Sequence, residues 1–310
     1  MMQINKINIQ PGENKTVKLN VSKLASGTSI TVHAHVYRSK NEGPTILLTG
    51  GVHGDEINGI EIVRRAVCSH LFENLKCGTV IALPLVNIYG FINFSRDLPD
   101  GKDVNRSFPG TKRGSLASRV AYVITHQILP LVDLGIDFHT GGSSIYNFPQ
   151  IRAFREDNKS LELAKIFNAP LTIESGLIPK SFRKEAHKKE IPMIVFEGGE
   201  SLRLDDFSIN EGINGIKRVL HHYNMIDENI GTQDTFTITQ NKWMRASIAG
   251  IFIPKKVTGE WFKKGDVLGV LTNPYGQFEK QIIAKQDGFI FGHDNKPVVN
   301  QGKALFHIGK

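Results

Sequence analysis

A histidine and a glutamate three positions apart are the first candidates in this sequence for a chemical role. His53 and Glu56 follow the short apolar run Ile46-Leu47-Leu48, and the apolar residues after them recur at roughly helical spacing. The segment therefore predicts a strand, a Gly-rich turn and a helix over residues 45–65. Imidazole and carboxylate are both zinc ligands, and a catalytic zinc site needs three protein ligands and one open position. This spacing alone is equally typical of an acidic residue that caps a helix beside an exposed histidine.

Two further residues of the same chemical kind stand at the ends of predicted strands. His139 ends the run 132–139, and Glu197 ends the run 192–197. In a parallel sheet the carboxyl ends of the strands meet at one edge, where sites form. We therefore expect His53, His139 and Glu197 to lie at the same edge.

The elements that must position these residues alternate between strand and helix. Residues 1–40 predict antiparallel strands, and the crossover units that follow predict a largely parallel sheet covered by helices on both faces. The predicted strands are 45–50, 78–85, 132–139, 170–174 and 192–197, and the predicted helices are 56–75, 115–130, 159–168, 181–189 and 208–224. From about residue 233, Gly, Pro and alternating β-formers predict a small all-β domain. The predicted domains are thus 1–232 and 233–310.

Residues 87–114 show no clear periodicity, and long structureless segments inside compact domains are usually functional. This segment contains Arg96, Asp103, Asn105 and Arg106. A solvated surface loop is the alternative interpretation.

Composition excludes several classes of protein. The 310 residues are 40% hydrophobic and 22% charged, which is typical of a packed globular chain. The formal net charge is +8, but the basic residues are scattered and no basic run is interleaved with aromatics, so we expect no nucleic-acid partner. Two cysteines do not make a disulfide framework, and no secretory signal or apolar membrane span is visible. We expect a reduced, cytoplasmic protein with no membrane partner.

Four motifs in order resemble the succinylglutamate desuccinylase/aspartoacylase family, which is related to the zinc carboxypeptidases. They are GGVHGDE at 50–56, SRDLPDGKDVNRSFPG at 95–110, DFHTGG at 137–142 and FEGGE at 196–200. The resemblance implies an α/β fold: a zinc-carboxypeptidase-like mixed, largely parallel sheet covered by helices. A small C-terminal all-β, barrel-like domain would follow it.

The resemblance also implies roles for seven residues. His53, Glu56 and His139 would hold one Zn²⁺ ion per chain, and Glu197 would be the catalytic glutamate. Asn105 and Arg106 would bind a substrate carboxylate, and Arg96 would help to polarise the scissile carbonyl.

Several neighbouring residues are candidates for supporting roles. Asp137 and Asp103 are candidates for orienting the zinc ligand and the Asn105-Arg106 segment. Arg152, Arg155 and Arg183 are candidate secondary contacts for an anion, with solvated surface as the alternative for each.

The function implied is that of a zinc-dependent amide hydrolase, a deacylase that releases an acyl group from a small N-acyl amino acid or related amine. The expected partner is a small anionic N-acyl substrate, and a homo-oligomer is possible. One alternative is a metallocarboxypeptidase acting on a peptide or cell-wall fragment. Another is a non-catalytic binding or carrier protein, because the β tail resembles a biotinyl/lipoyl-type barrel.

The carrier alternative generates a first prediction. Gln277 stands where a carrier domain of this type presents its modifiable lysine, and the flanks of nearby Lys280 do not match. The intact mass of protein from cells with active ligases should therefore equal the mass of the unmodified chain. An added mass that maps to Lys280 or a neighbouring lysine would support the carrier alternative.

Overall fold

The computed structural model describes residues 2–23 and 27–310. Six α-helices are described: α1 (Ile57–Cys68), α2 (Ile88–Ile92), α3 (Leu116–Val123), α4 (Asn158–Phe167), α5 (Phe182–Lys188) and α6 (Asp206–His222). The strands are β1 (Met2–Ile4), β2 (Ile7–Ile9), β3 (Asn14–Lys23), β4 (Ser29–Arg38), β5 (Thr45–Gly50), β6 (Thr79–Leu83), β7 (Leu134–Gly141), β8 (Ile145–Phe154), β9 (Leu171–Ser175), β10 (Met193–Glu200), β11 (Phe236–Ile238), β12 (Asn241–Arg245), β13 (Gly250–Pro254), β14 (Trp261–Phe262), β15 (Val267–Thr272), β16 (Glu279–Ile283), β17 (Gly288–Asp294), β18 (Val298–Val299) and β19 (Ala304–Gly309).

A 13-stranded mixed sheet organises the molecule. Its main path runs β12-β19-β17-β8-β10-β7-β5-β6-β4-β3, with β9, β11 and β14 attached at its sides. The four central strands, β6, β5, β7 and β10, are parallel, whereas both flanks of the path are antiparallel. The predicted mixed α/β sheet is confirmed, and the parallel part is its centre.

Helices cover both faces of this sheet because its strands are apolar on both sides. Leu47 belongs to one core cluster, and its neighbours Ile46 and Leu48 belong to another, as the alternation of side chains along a strand requires. The first cluster includes residues of α3 and α5, and the second includes residues of α1, α4 and α6. Among the described residues, no helix combines the length and the apolar character that a membrane crossing requires.

The C-terminal β region joins the main sheet by strand pairing. β17 pairs with β8, and β11 pairs with β9, so hydrogen-bonded strands connect the two parts of the chain. A second sheet, in the order β16-β15-β13-β18, packs on β12, β17 and β19 around a shared apolar cluster. A C-terminal β-rich region is therefore confirmed.

Three segments differ from the sequence prediction. The helix expected at 56–75 already ends as α1 at Cys68. The helix expected at 115–130 ends as α3 at Val123 and continues as a π-helical turn over Ile124–Ile128. β8 was not predicted, although it is rich in β-formers, because Pro149 interrupts it. On one side of β8, β17 pairs only as far as Asn147 and β9 begins at Gln150. Pro149, which has no N–H group, falls in the gap between these two partners.

The close contact between α1 and β7 generates a stability prediction. A Cβ atom on Gly59 would lie 2.3 Å from the carbonyl oxygen of Phe138. Gly59→Ala should lower the free energy of unfolding by about 1–3 kcal/mol, although alanine has the higher helix propensity. Gly176→Ala is the control, because a Cβ there meets nothing within 4 Å. Denaturant titration of both variants checks this, and equal stability of the two would contradict the packing argument.

Candidate active site

Three donor groups converge at the carboxyl edge of the central strands. The Nδ1 atom of His53 lies 2.8 Å from Oε1 of Glu56, and Nδ1 of His139 lies 2.6 Å from Oε2 of the same carboxylate. The two Nδ1 atoms are 3.1 Å apart. One ligand atom from each residue lies within 4.8 Å of the others, and all three residues are buried. The predicted grouping of these residues is therefore present.

A tight turn between β5 and α1 brings His53 and Glu56 into this position. A Cβ on Gly54 would lie 2.0 Å from the carbonyl carbon of Gly90, so the turn packs directly on the backbone of α2. Glu56 is the N-cap residue of α1, but its side chain makes no capping hydrogen bond. Its Oε2 instead accepts a hydrogen bond from the Thr140 amide at 3.2 Å. The alternative of a capping glutamate beside an exposed histidine is wrong.

Two aspartates hold the outer nitrogens of the histidines. Asp137 Oδ2 lies 2.7 Å from Nε2 of His139, and Asp103 Oδ1 lies 3.1 Å from Nε2 of His53. The other oxygen of Asp137 accepts a 2.6 Å bond from Thr49. Carboxylates accept the outer N–H of each ring, so the Nδ1 atoms are directed to the common centre. The predicted supporting positions of Asp137 and Asp103 fit this arrangement.

Charge coupling across this cluster is strong. Burial lowers the pKa of His53 and of His139, but the surrounding carboxylates outweigh burial and raise both above the ordinary histidine value. Burial raises the pKa of Glu56, yet the two imidazoles bring it well below its usual range. The cluster thus stabilises the ionised carboxylate that a metal cation requires.

Residues 87–114 form the wall beside the cluster. Arg96 Nη1 donates to Glu56 at 3.1 Å, and its Nη2 donates to Asp103 at 2.9 Å. Asp103 also accepts from the backbone N–H of Asn105 at 2.6 Å, and the Asn105 side chain accepts from the Phe182 amide at 2.8 Å. Arg106 is exposed and donates to the Asn105 carbonyl at 2.7 Å. This segment is ordered by the site, so its residues are more than a solvated loop.

Glu197 enters the same cavity from the neighbouring strand. It is the register partner of His139 in the parallel pair β7–β10. Arg152 Nε lies 2.9 Å from Oε1 of Glu197, and the Asn147 side chain donates to Oε2 at 2.6 Å. Both of these partners belong to the unpredicted strand β8. The signal that could have located them was the β-former content of residues 145–154.

These groups line one cavity of about 250 Å³. All seven predicted site residues line it: His53, Glu56, Arg96, Asn105, Arg106, His139 and Glu197. Arg152 and Arg183 line it as well, whereas Arg155 is exposed and bonds to the carbonyl of Glu174. The lining also includes Trp243 of the C-terminal β region, which the sequence analysis did not assign to the site.

Arg183 is a buried cation at this cavity. It donates to the carbonyls of Arg152 and Gly176 and to the Ser175 hydroxyl. Among the described residues no carboxylate lies within ion-pair distance of it. Burial and the adjacent Arg152 lower its pKa to about 10. It therefore remains charged at neutral pH and can receive an anion.

Fold and site together define a class: an α/β protein with a three-donor metal-type centre, a separate carboxylate and several arginines in one cavity. Residues 42–223 match the Succinylglutamate desuccinylase/Aspartoacylase catalytic domain, and the chain belongs to this family. The resemblance drawn from the four motifs is confirmed.

Individual relatives extend this finding. The chain is 29% identical over 228 residues to the N-alpha-acetyl-L-2,4-diaminobutyric acid deacetylase of Halomonas elongata, an alignment that covers 70% of this chain and 66% of that protein. The succinylglutamate desuccinylase/aspartoacylase of Rhodobacter sphaeroides is 26% identical, with a TM-score of 0.84 over 96% of this chain and 95% of that chain. A product-bound structure of the ectoine utilization protein EutE (DoeB) from Ruegeria pomeroyi has a TM-score of 0.87 at 24% identity, over 100% of this chain and 99% of that chain. At 24% identity, the similarity to this last structure shows a common fold.

The geometry of the three donors generates a prediction about metal content. His139→Ala removes one donor of three, so the purified variant should retain less than a tenth of the wild-type zinc. His33→Ala, at an exposed position of β4, is the matched control and should retain all of it. Asp137→Asn should weaken zinc binding about 10- to 100-fold, because the outer partner of His139 is lost. Elemental analysis and chelator competition measure both effects, and undiminished zinc in His139→Ala would exclude this site.

Proposed function

We propose that this protein is a zinc-dependent amide hydrolase that removes the acyl group from a small N-acyl amino acid. One observation carries the proposal: three convergent donors, an acid-base carboxylate and a buried arginine line the same cavity. The names of the relatives support it, since the Halomonas elongata protein is a deacetylase of an N-acetylated amino acid.

The donor set fits zinc by its chemistry. Two imidazoles and one carboxylate are a recurrent set of catalytic zinc ligands, and the outer carboxylates hold the rings in the required tautomer. His53, Glu56 and His139 would hold the ion. When bound, it would lower the pKa of a water molecule to about 7 and polarise the acyl carbonyl.

Glu197 is the group suited to move the proton. It is not one of the three donors, and its side chain is 19% exposed toward the cavity. A carboxylate at this position takes a proton from the attacking water and later delivers it to the leaving amine. Arg152 and Asn147 hold both of its oxygens and fix its orientation.

The arginines of the cavity suit two different roles. Arg96 lies beside Glu56, close to where the acyl carbonyl would be placed, and it can stabilise the negative charge that develops on that oxygen. Arg183 lines the same cavity beside Arg152 and suits the carboxylate of an amino acid. Asn105 and Arg106 also line the cavity and can add donors for the same anion.

The cavity size favours a small substrate over a peptide. About 250 Å³ accommodates a molecule the size of an acylated amino acid, and Trp243 is part of the wall that encloses this volume. Hydrolysis of a panel of N-acyl amino acids, with zinc measured on the same sample, tests the proposal. Absence of turnover across the panel by zinc-replete protein would refute it.

Glu197→Gln generates a second test. The substitution preserves shape but removes the proton acceptor, so kcat should fall about 10²- to 10⁴-fold while zinc content is unchanged. Glu279→Gln, at an exposed position of β16, is the matched control and should keep the wild-type rate. Steady-state kinetics and elemental analysis provide both readouts. A kcat within a few-fold of wild type would assign the proton transfer to another group.

Arg96 and Arg106 should differ in which kinetic parameter they change. A substrate carboxylate is charged before and during the reaction, so Arg106→Ala should raise KM with little effect on kcat. The carbonyl oxygen becomes negative only as water adds, so Arg96→Ala should lower kcat about 10²- to 10³-fold. Arg155→Ala, outside the cavity, is the control. The opposite division between KM and kcat would exchange the two roles.

A further inference from the structure

The wall of the cavity includes four apolar side chains besides its charged groups. They are Ile145, Ile178, Val195 and Trp243. Val195 is the register partner of Arg152 in the antiparallel pair β8–β10, and it precedes Glu197 by two positions on the same face of β10. A carboxylate bound at Arg152 therefore has an apolar side chain, Val195, beside it.

Trp243 is held in this wall by its own stack of rings. Its indole stacks on the imidazole of His307, with centroids 4.1 Å apart and planes at 14°, and His307 contacts Phe291 at the same centroid distance. Burial, together with the charge of Arg152, lowers the pKa of His307 to about 3, so this ring is neutral and the stack is uncharged. The Nε2 atom of His307 lies 3.1 Å from the side-chain oxygen of Asn241, which fixes its plane.

Sheet register ties the same tryptophan to the catalytic strands. Trp243 pairs in register with His307, and His307 pairs with Gly292. Gly292 pairs with Asn147, and Asn147 pairs with Gly199. Partners in register share one face of a sheet, so Trp243 and Asn147 lie on the same side. The missing side chain at Gly292 leaves room between them, because a Cβ there would meet the Asn147 side chain at 2.9 Å. The stack on His307 and this row of paired strands thus hold Trp243 in the cavity wall.

The carboxylates of the cavity are already engaged. Within the described residues, the lining contains Glu56, Asp137 and Glu197 as its acidic groups. Glu56 and Asp137 bond to the histidines, and Glu197 is held by Arg152 and Asn147. Among the described lining residues no free carboxylate is left to receive an ammonium group, and the adjacent Arg183 would repel one.

From these observations we propose that the site takes N-acyl amino acids that carry a short, uncharged aliphatic group, and that Trp243 is the specificity-determining residue that limits its length. The proposal rests on the proposed deacylase function and adds the substrate class. It separates this chain from its Halomonas elongata relative, whose named substrate carries an amino group on the side chain. The aliphatic group could belong to the acyl chain or to the amino-acid side chain, and the two sources are separable by experiment.

Two substrate series test the proposal on zinc-replete, full-length protein. One series lengthens the acyl group of N-acyl-L-alanine from acetyl to butanoyl to hexanoyl. The other lengthens the side chain of an N-acetyl amino acid from alanine to 2-aminobutyrate to norleucine. In the series whose variable group lies against Trp243, the wild type should prefer the short member. In that series Trp243→Ala should shift the ratio of kcat/KM toward the longest member about tenfold or more. The series that responds shows whether the aliphatic group belongs to the acyl chain or to the side chain. Trp243→Phe, which keeps a ring on His307, should give a smaller shift in the same direction.

The second tryptophan of the sequence provides the matched control. Trp261 is 61% exposed and does not line the cavity, so Trp261→Phe should leave both series unchanged. Unchanged ratios in both series for Trp243→Ala, with normal turnover of the acetyl substrate, would overturn the role of Trp243. N-acetyl-2-aminobutyrate should be preferred at least tenfold over N-acetyl-2,4-diaminobutyrate, and equal or reversed preference would overturn the uncharged class.

A binding measurement keeps the inference testable apart from catalysis. In a Glu197→Gln, Trp261→Phe double variant, which should bind N-acetyl-L-alanine without turning it over, Trp243 is the sole tryptophan, so binding of this compound should change the tryptophan emission. Calorimetry on the same protein gives Kd independently. Binding by calorimetry without a change in emission would place the ligand away from Trp243, whereas no turnover across the panel would refute the deacylase function instead.

Discussion

The carboxylate of Glu56 is buried between two imidazoles, and the rest of the site depends on that contact. An ionised carboxylate out of water is costly unless cations or donors surround it. Glu56 meets this requirement with His53, His139, Arg96 and the Thr140 amide. These partners come from the β5–α1 turn, the end of β7 and the segment 87–114. One charge therefore makes three distant parts of the chain converge.

Close backbone packing makes that convergence possible. Glu56 is the N-cap residue of α1, and α1 can lie against β7 only because Gly59 has no side chain opposite the Phe138 carbonyl. Phe138 immediately precedes His139, so the contact that seats the helix also sets the distance between Glu56 and His139. The parallel register of β7 and β10 then places Glu197 beside His139. Packing, register and charge specify the same geometry.

The sequence predicted the parts of this arrangement that depend on local patterns. His53, Glu56, His139 and Glu197 each follow a short apolar run, and strand ends in a parallel sheet share an edge, so their approach could be predicted before any contact was known. The missed strand and the missed tryptophan depend on pairing between distant strands. β8 contains Pro149, which is tolerated only because two partners leave a gap beside it, and no local pattern shows where partners end. Trp243 reaches the cavity through three successive strand pairings, which the sequence does not display.

The row of paired strands from Trp243 to Asn147 also has a consequence for how the protein is made. The donors at positions 53, 56 and 139 lie in the β5–α1 turn and in β7, which come early in the chain. The side of the cavity that contains Trp243 forms only with β19, because β12 is joined to the sheet through that strand. β19 spans Ala304–Gly309. A nascent chain can thus bring these three donors together while one side of the cavity is still open to solvent. That side is completed only after β19 has paired with β12 and β17.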